Sequence, residues 1–408
     1  MDEPNMSNVE LLSERINRIK PSPSMAAKAL VDKLRADGRD IIDFTIGEPD
    51  LPTPQHIVDA AVVALRAGDT RYTASSGTPA LRKAIATKLA RDNGLTYTAE
   101  NIVVGSGGKH VIFHAFAVTL NPGDEVIIHA PYWVSYPDMV VVNDGTPVIV
   151  AGDEASGFKL SPEELEAAIT PRTKWLILNT PNNPTGAVYT EDELIALGKV
   201  LERHPHVWVM SDEIYEHFVY GGAQHISPVL AIPAIKERSL LINGASKGYS
   251  MTGWRLGYGA GPTVLVNAIS KLISQTTTCP SSISQAAAIA AFLGSQDAPR
   301  NAGRVFEQRG KLMADLLKDA RGVSVRPPTG AFYVYPSVAG LIGKTTPAGH
   351  ILKSDLDVVN YFTESAGVAT LDGSAYGVGP YLRFSFATAE LAIRDGCSRI
   401  VEACLALK

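Results

Sequence analysis

Between about residues 100 and 260, short β-branched and apolar runs alternate with helix-like stretches, and this alternation constrains the fold more than any other feature. The runs are Glu125 to His129 (EVIIH), Thr146 to Val150 (TPVIV), Lys174 to Asn179 (KWLILN), Val207 to Met210 (VWVM) and Leu240 to Asn243 (LLIN). Runs of this kind, apolar at consecutive positions, predict parallel strands covered on both faces. The helix-like stretches have readable starts. Ser161-Pro162-Glu163-Glu164 and Thr190-Glu191-Asp192-Glu193 each place a hydroxyl at the cap and a Glu three residues on. Alternating β and α units predict a doubly wound α/β domain. Beyond residue 300 the order changes: long helical patterns at 301–320 and 390–407 flank short strand-like pieces at 331–335 and 381–386, which predicts a smaller α+β domain. Cys397 and Cys404, seven apart on the last helical pattern, share a face and read as core.

Charge and composition exclude several function classes. The chain has 37 basic and 42 acidic residues in 408, with no basic arm, so nucleic acid is not an expected partner. No apolar run reaches the roughly 18 residues that a membrane span needs. The first ten residues, MDEPNMSNVE, suit neither a secretory signal nor a transit peptide. Three cysteines cannot make a disulfide framework, and the nine histidines have no metal-ligand spacing. A soluble, cytoplasmic protein with no metal is the expectation.

The chemistry concentrates at strand ends. Lys247 follows LLIN and small residues in NGASKGYSMTGWRLGY, where poor solvation would lower its pKa, as a Schiff-base lysine requires. Arg255, eight positions on, could neutralise a phosphate on the same ligand. Gly105-Ser106-Gly107-Gly108-Lys109 follows Val103-Val104 and precedes the helical pattern at 110–120, so its backbone N–H groups could approach an anion at a helix N-terminus. It is neither a dinucleotide fingerprint nor a P-loop, since no Gly follows Gly107 at the third position and His110 follows the lysine. Gly257-Tyr258-Gly259-Ala260-Gly261 likewise has the wrong spacing for a dinucleotide loop. Asn183 lies in the segment after KWLILN, and Asp212 and Tyr215 in the segment after VWVM. Ligands of open α/β sheets sit outside the carboxyl ends of the strands, so these groups would converge. A carboxylate, an amide and a phenol around a lysine and a phosphate suit a pyridoxal phosphate ring.

On its motifs the chain resembles the class I pyridoxal-phosphate-dependent aminotransferases of fold type I, and within them the bacterial aspartate/prephenate branch. Those motifs are Gly47-Glu48-Pro49-Asp50, GSGGK, Pro131-Tyr-Trp-Val-Ser-Tyr-Pro137, NTPNNPTG, SDEIYEH, NGASKGYSMTGWRLGY and Leu382-Arg383-Phe384-Ser385, spread over nearly the whole chain. The resemblance implies a large, mostly parallel α/β/α cofactor domain over 51–299. It implies a small α+β domain from 300–408 with the N-terminal arm 1–50. It implies Lys247 as the cofactor-bearing lysine and proton carrier, Asp212 on the pyridinium nitrogen, and Asn183 and Tyr215 on the ring oxygen. Trp133 would stack on the ring. Gly107, Gly108 and Arg255 would hold the phosphate, joined by Tyr72 from the partner subunit of a homodimer with shared sites. Asn183, Gly47 and Arg383 would bind the substrate α-carboxylate, with Trp133 beside it. Lys109 would meet the distal carboxylate, aided by Lys20 and Ser24. The strand pattern bears separately on Arg383: Leu382, Phe384 and Phe386 share one face, leaving Arg383 and Ser385 on the other.

The N-terminal segment departs from the branch, reading Lys20-Pro21-Ser22-Pro23-Ser24 where Ala then Thr would follow the first Ser. The added proline fixes φ and removes a donor. The activity implied is transfer of an amino group between L-aspartate or glutamate and 2-oxo acids such as 2-oxoglutarate or oxaloacetate, with prephenate as a further acceptor. An aromatic aminotransferase, or a lyase or decarboxylase of the same fold, would share the cofactor residues.

Overall fold

The structure is a computed structural model that describes residues 11–21 and 23–408, apart from the side chain of Ser24. The polar stretch 1–10 and the suggested contact through Ser24 lie outside the described residues.

A seven-stranded sheet carries the alternating region. Its strands are β1 (Ile102–Gly105), β2 (Glu125–Ala130), β3 (Thr146–Ala151), β4 (Thr173–Asn179), β5 (Trp208–Asp212), β6 (Ser239–Gly244) and β7 (Gly257–Ala260). Their lateral order is β1-β7-β6-β5-β4-β2-β3. Neighbours from β6 to β3 pair in parallel, and β7 runs antiparallel to both β1 and β6. The five runs read from the sequence are all strands.

One expectation needs correction. Coverage on both faces fails at β3, which pairs only with β2 at the sheet edge and leaves Ile149 43% exposed. The glycine-rich stretch 257–261, to which the sequence assigns no element, forms the antiparallel strand β7 and the residue after it. Its glycine composition has a steric cause. A Cβ on Gly257 would stand 2.2 Å from the Gly108 nitrogen and 2.6 Å from the Gly107 carbonyl carbon, so only glycine lets the Gly107-Gly108 turn lie against this strand.

The helix starts follow their caps. The Ser161 hydroxyl accepts from the Glu164 N–H at 3.2 Å while the Glu164 carboxylate accepts from the Ser161 N–H at 2.8 Å, and Thr190 with Glu193 repeats this. The helices cover both sheet faces. Phe116, Trp175, Met210 and Ile269 share one apolar cluster, while Leu176, Val209 and Leu197 belong to another.

A separate core gathers Phe44, Phe306, Phe332, Val358, Phe384 and Cys397, and takes in Tyr215 and Phe218 from the segment after β5. Its three-stranded antiparallel sheet consists of β8 (Tyr333–Val334), β9 (Leu371–Asp372) and β10 (Leu382–Ser385) in the order β9-β10-β8. Ile42–Asp43 pairs in parallel with Val368–Ala369, which ties the early chain to the late one. Cys397 and Cys404 are buried in the helix Glu390–Leu405, and burial pushes both thiols up to about 12.

A buried charge pair fastens the segment after β5 to the helix Pro79–Asn93. Lys88 bonds Glu216, and Asn93 donates to the other Glu216 oxygen at 2.6 Å. Lys88 and Glu216 have side chains 1% and 6% exposed. Burial alone would raise the Glu216 carboxyl, yet Lys88 holds it well below the usual range. Lys88→Met leaves that carboxylate buried with one amide donor, so unfolding in urea at pH 7 should show a loss of about 3–5 kcal/mol. Adding Glu216→Gln should recover part of it.

Candidate active site

The carboxyl ends of β1, β4, β5 and β6 open on one cavity of about 470 Å³. Strand register fixes which residues meet there: Asn179 pairs with Asp212, and Asp212 with Ile242. Each strand then delivers its chemistry within a few residues of its end. Gly107, Gly108 and Lys109 come from β1, Asn183 from β4, Asp212 and Tyr215 from β5, and Lys247 from β6. Trp133, Arg255, Gly47 and Arg383 also line the cavity.

Lys247 is half-buried and donates from Nζ to the Gly47 carbonyl at 2.5 Å. Its ammonium lies 5.9 Å from the Tyr215 ring centre and 5.8 Å from that of Phe332. Burial lowers its pKa to about 8, with Arg383 and Arg255 acting in the same direction against Glu48 and Asp212. Asp212 is 5% exposed, and burial raises its carboxyl to about 6. It accepts from the Tyr136 hydroxyl at 2.6 Å and from the Ile214 N–H at 3.3 Å. The Tyr215 hydroxyl lies 2.9 Å from that of Tyr333, and burial pushes its pKa well above the ordinary phenol value.

Arg383 is 3% exposed. It donates to the Thr45 carbonyl at 2.6 Å and to Asn183 Oδ1 at 3.2 Å, and its guanidinium lies 4.4 Å from the Tyr333 ring centre. Its Nε is buried with no hydrogen-bond partner among the described residues. All four residues of β10 are buried, so the alternation that separates Arg383 from Leu382 and Phe384 divides a cavity face from a core face, not a wet face from a dry one. Lys109 lies 4.8 Å from the Trp133 ring centre, and burial lowers its pKa, with Arg255 adding to the effect.

The resemblance implies that Gly107 and Gly108 both hold the phosphate. The Gly107 N–H instead donates to the Gly105 carbonyl at 2.8 Å. What Gly107 supplies is space: its φ is +91°, and a Cβ there would stand 2.6 Å from Arg255 Nη2. Gly108 and Lys109 open the helix Gly108–Thr119, so their N–H groups have no partner within it. A helix N-terminus beneath a guanidinium is a dianion cradle. A half-buried amine and a buried carboxylate face the same cavity. The donor set therefore fits pyridoxal phosphate.

Two expected contacts stand apart from the wall. Tyr72 is 86% exposed. Lys20 is exposed, and its backbone N–H lies 3.5 Å from Asp138 Oδ1. Met25 and Lys28, from the helix Pro23–Ala36, line the cavity in place of Lys20. Pro23 is the first residue of that helix, where its missing N–H costs no intrahelical bond. The sequence reading also missed Tyr136, Tyr333 and Glu48, all lining residues. Tyr136 is the second residue of the helix Ser135–Val142, and its ring meets that of Trp133, just before the helix, edge to face.

Residues 39–400 match the family described as aminotransferase class I and II. The chain belongs to that family. It is thus an aminotransferase, and its architecture is that of fold type I. It is 49% identical over 396 residues to the aspartate/prephenate aminotransferase of Cereibacter sphaeroides, covering 97% of this chain and 99% of that one. The aspartate aminotransferase of Rhizobium meliloti superposes with a TM-score of 0.95 at 45% identity, covering 97% of this chain and 99% of the other. The Thermus thermophilus aspartate aminotransferase with maleate gives 0.89 at 39% identity, covering 96% and 99%. Among the described residues no helix is long and apolar enough to cross a membrane.

Proposed function

We propose that this aminotransferase uses pyridoxal 5′-phosphate on Lys247 to move the amino group between L-aspartate or glutamate and 2-oxo acids such as 2-oxoglutarate or oxaloacetate, with prephenate as a further acceptor. The observation that carries this reading is one cavity lined by an amine of lowered pKa, a buried carboxylate and the cations Lys109, Arg255 and Arg383. When bound, the cofactor ring withdraws the electron pair released at substrate Cα. Gly108, with Gly107 making room for Arg255, holds the phosphate, and Tyr72 of the partner subunit joins them in a homodimer. Asp212 would pair with the ring nitrogen, Tyr215 and Asn183 would bond the ring oxygen, and Trp133 would stack on the ring. Arg383 and Asn183 bind the α-carboxylate beside Gly47, which orients the Cα–H bond toward Lys247. Lys247 would carry the cofactor at rest and, as a free amine, would take the Cα proton and pass it to cofactor C4′. Residues 51–299 form the cofactor domain and 1–50 with 300–408 the small domain. The latter closes on the substrate through contacts such as Thr252 Oγ1 to Glu48 at 2.6 Å.

Lys109 meets the distal carboxylate of the substrate. The Thermus relative was solved with maleate, a dicarboxylate, which supports a two-carboxylate site, and the Cereibacter relative's name supports prephenate. Three free cysteines with no disulfide support a cytoplasmic setting. Single-turnover spectra test the reading. Aspartate and glutamate should convert the bound cofactor without release of CO₂ or ammonia, and oxaloacetate, 2-oxoglutarate or prephenate should restore it. Lys109→Met should raise KM for aspartate by about tenfold or more and leave that for phenylalanine nearly unchanged. Failure to turn over any dicarboxylic amino acid would sink the substrate assignment.

A further inference from the structure

The Gly105–Lys109 turn is held from behind by a side chain that does not line the cavity. His110 is the third residue of the helix Gly108–Thr119, and its Nδ1 accepts from the Ser106 N–H at 3.2 Å. The Ser106 carbonyl, on the next peptide unit, lies 3.4 Å from Arg255 Nη2. That same unit carries the Gly107 N–H, which donates to the Gly105 carbonyl. Two successive peptide planes are therefore fixed, one by His110 and one by Gly105 with Arg255. With both fixed, the helix N-terminus points into the cavity and Arg255 lies across Gly107.

The histidine is set up as an acceptor. An imidazole that accepts at Nδ1 carries its proton on Nε2 when neutral. Here Nε2 is buried without a hydrogen-bond partner among the described residues, and the ring sits edge-to-face on His114 with centroids 4.1 Å apart. Burial, and then His114, lower the His110 pKa to about 4, which keeps Nδ1 unprotonated at neutral pH. His114 is itself fixed, donating from Nδ1 to the His110 carbonyl at 2.8 Å with Nε2 2.9 Å from Thr276 Oγ1. A ring that leaves one nitrogen unpaired and uses the other on a turn N–H serves that turn.

We propose that His110 is a positioning residue for cofactor-phosphate binding, its Nδ1 holding the Ser106 peptide so that the helix N-terminus and Arg255 meet the phosphate. This rests on the pyridoxal phosphate reading given above. It acts on the phosphate alone, since His110 is outside the cavity wall that surrounds the ring.

The test is the equilibrium affinity of the cofactor-free chain for pyridoxal phosphate and for pyridoxal, which lacks the phosphate, followed by absorbance. Thermal unfolding of the cofactor-free chain is recorded in parallel. His110→Phe keeps a ring and removes the acceptor; His110→Asn keeps an acceptor near Nδ1. H110F should bind pyridoxal phosphate about tenfold more weakly, the scale of one lost hydrogen bond. It should bind pyridoxal as the parent does, and H110N should recover most of the phosphate-dependent affinity. If H110F does not fold, H110A takes its place with the same expectations. Parent-like affinity for pyridoxal phosphate in the variant, or an equal loss for both compounds, would overturn the role of His110 while the cofactor assignment stands. A parent chain that takes up no pyridoxal phosphate would overturn both.

Discussion

Lys247→Ala should lower transamination by on the order of 10⁴-fold or more, because one side chain is asked both to carry the cofactor and to move the proton. Its surroundings suit both tasks. Burial, aided by Arg383 and Arg255, brings the ammonium down to a pKa of about 8. Near neutral pH the neutral amine is then a substantial minority species, where an ordinary lysine would have almost none. Lys109 is another primary amine on the cavity wall, but it sits against Trp133, away from the Gly47 carbonyl that receives Lys247. It should not substitute. Borohydride reduction followed by peptide mass measurement separates loss of chemistry from loss of fold. The parent should gain the cofactor mass on the peptide holding Lys247, and the variant should bind the cofactor reversibly and gain none. Activity above a hundredth of the parent in K247A would remove Lys247 from its role.

That lysine was legible in the sequence for a physical reason. In a parallel sheet each strand hands its last residues to a common edge, so Asn183, Asp212 and Lys247 stand in short contiguous motifs that need only the strand assignment to be brought together. What was not legible depends on contacts between distant segments. Tyr136 reaches Asp212 across 76 residues, and Tyr333 reaches Arg383 and Tyr215 from β8. No periodicity encodes such pairs. Strand β7 was hidden for the opposite reason: it lacks the β-branched residues by which strands are read, because its backbone must touch the turn at Gly107 and Gly108. Pro23 looks in the sequence like a disturbance of the N-terminal arm and is instead the first residue of a helix that sends Met25 and Lys28 to the cavity.

Asp212→Asn should separate stability from activity in opposite directions. In the cofactor-free chain burial raises Asp212 to about 6, against 3.8 for an ordinary aspartate, although the Tyr136 hydroxyl and the Ile214 N–H both favour the charged form. The sign follows from linkage. A carboxyl whose folded pKa lies above its unfolded one favours the fold at pH values below about 4, and that advantage is lost as pH rises through 6. Above that range the buried charge costs about 3 kcal/mol, from a shift of roughly two units. Asparagine cannot ionise and still offers Tyr136 an acceptor. The cofactor-free D212N chain should therefore be more stable than the parent by about 1–2 kcal/mol at pH 8, with little difference at pH 4. Urea unfolding at the two pH values reads this directly. The same substitution removes the negative charge that would keep the ring nitrogen protonated, so kcat should fall by on the order of 10³-fold. A carboxylate that destabilises the empty fold and is needed only when a cation faces it is a site prepared for its ligand, with the cost of burying the charge offset on binding. Equal stability of parent and D212N at pH 8 would mean that Asp212 is already neutral or paired in the empty site, and the assignment of the pyridinium partner would have to move elsewhere.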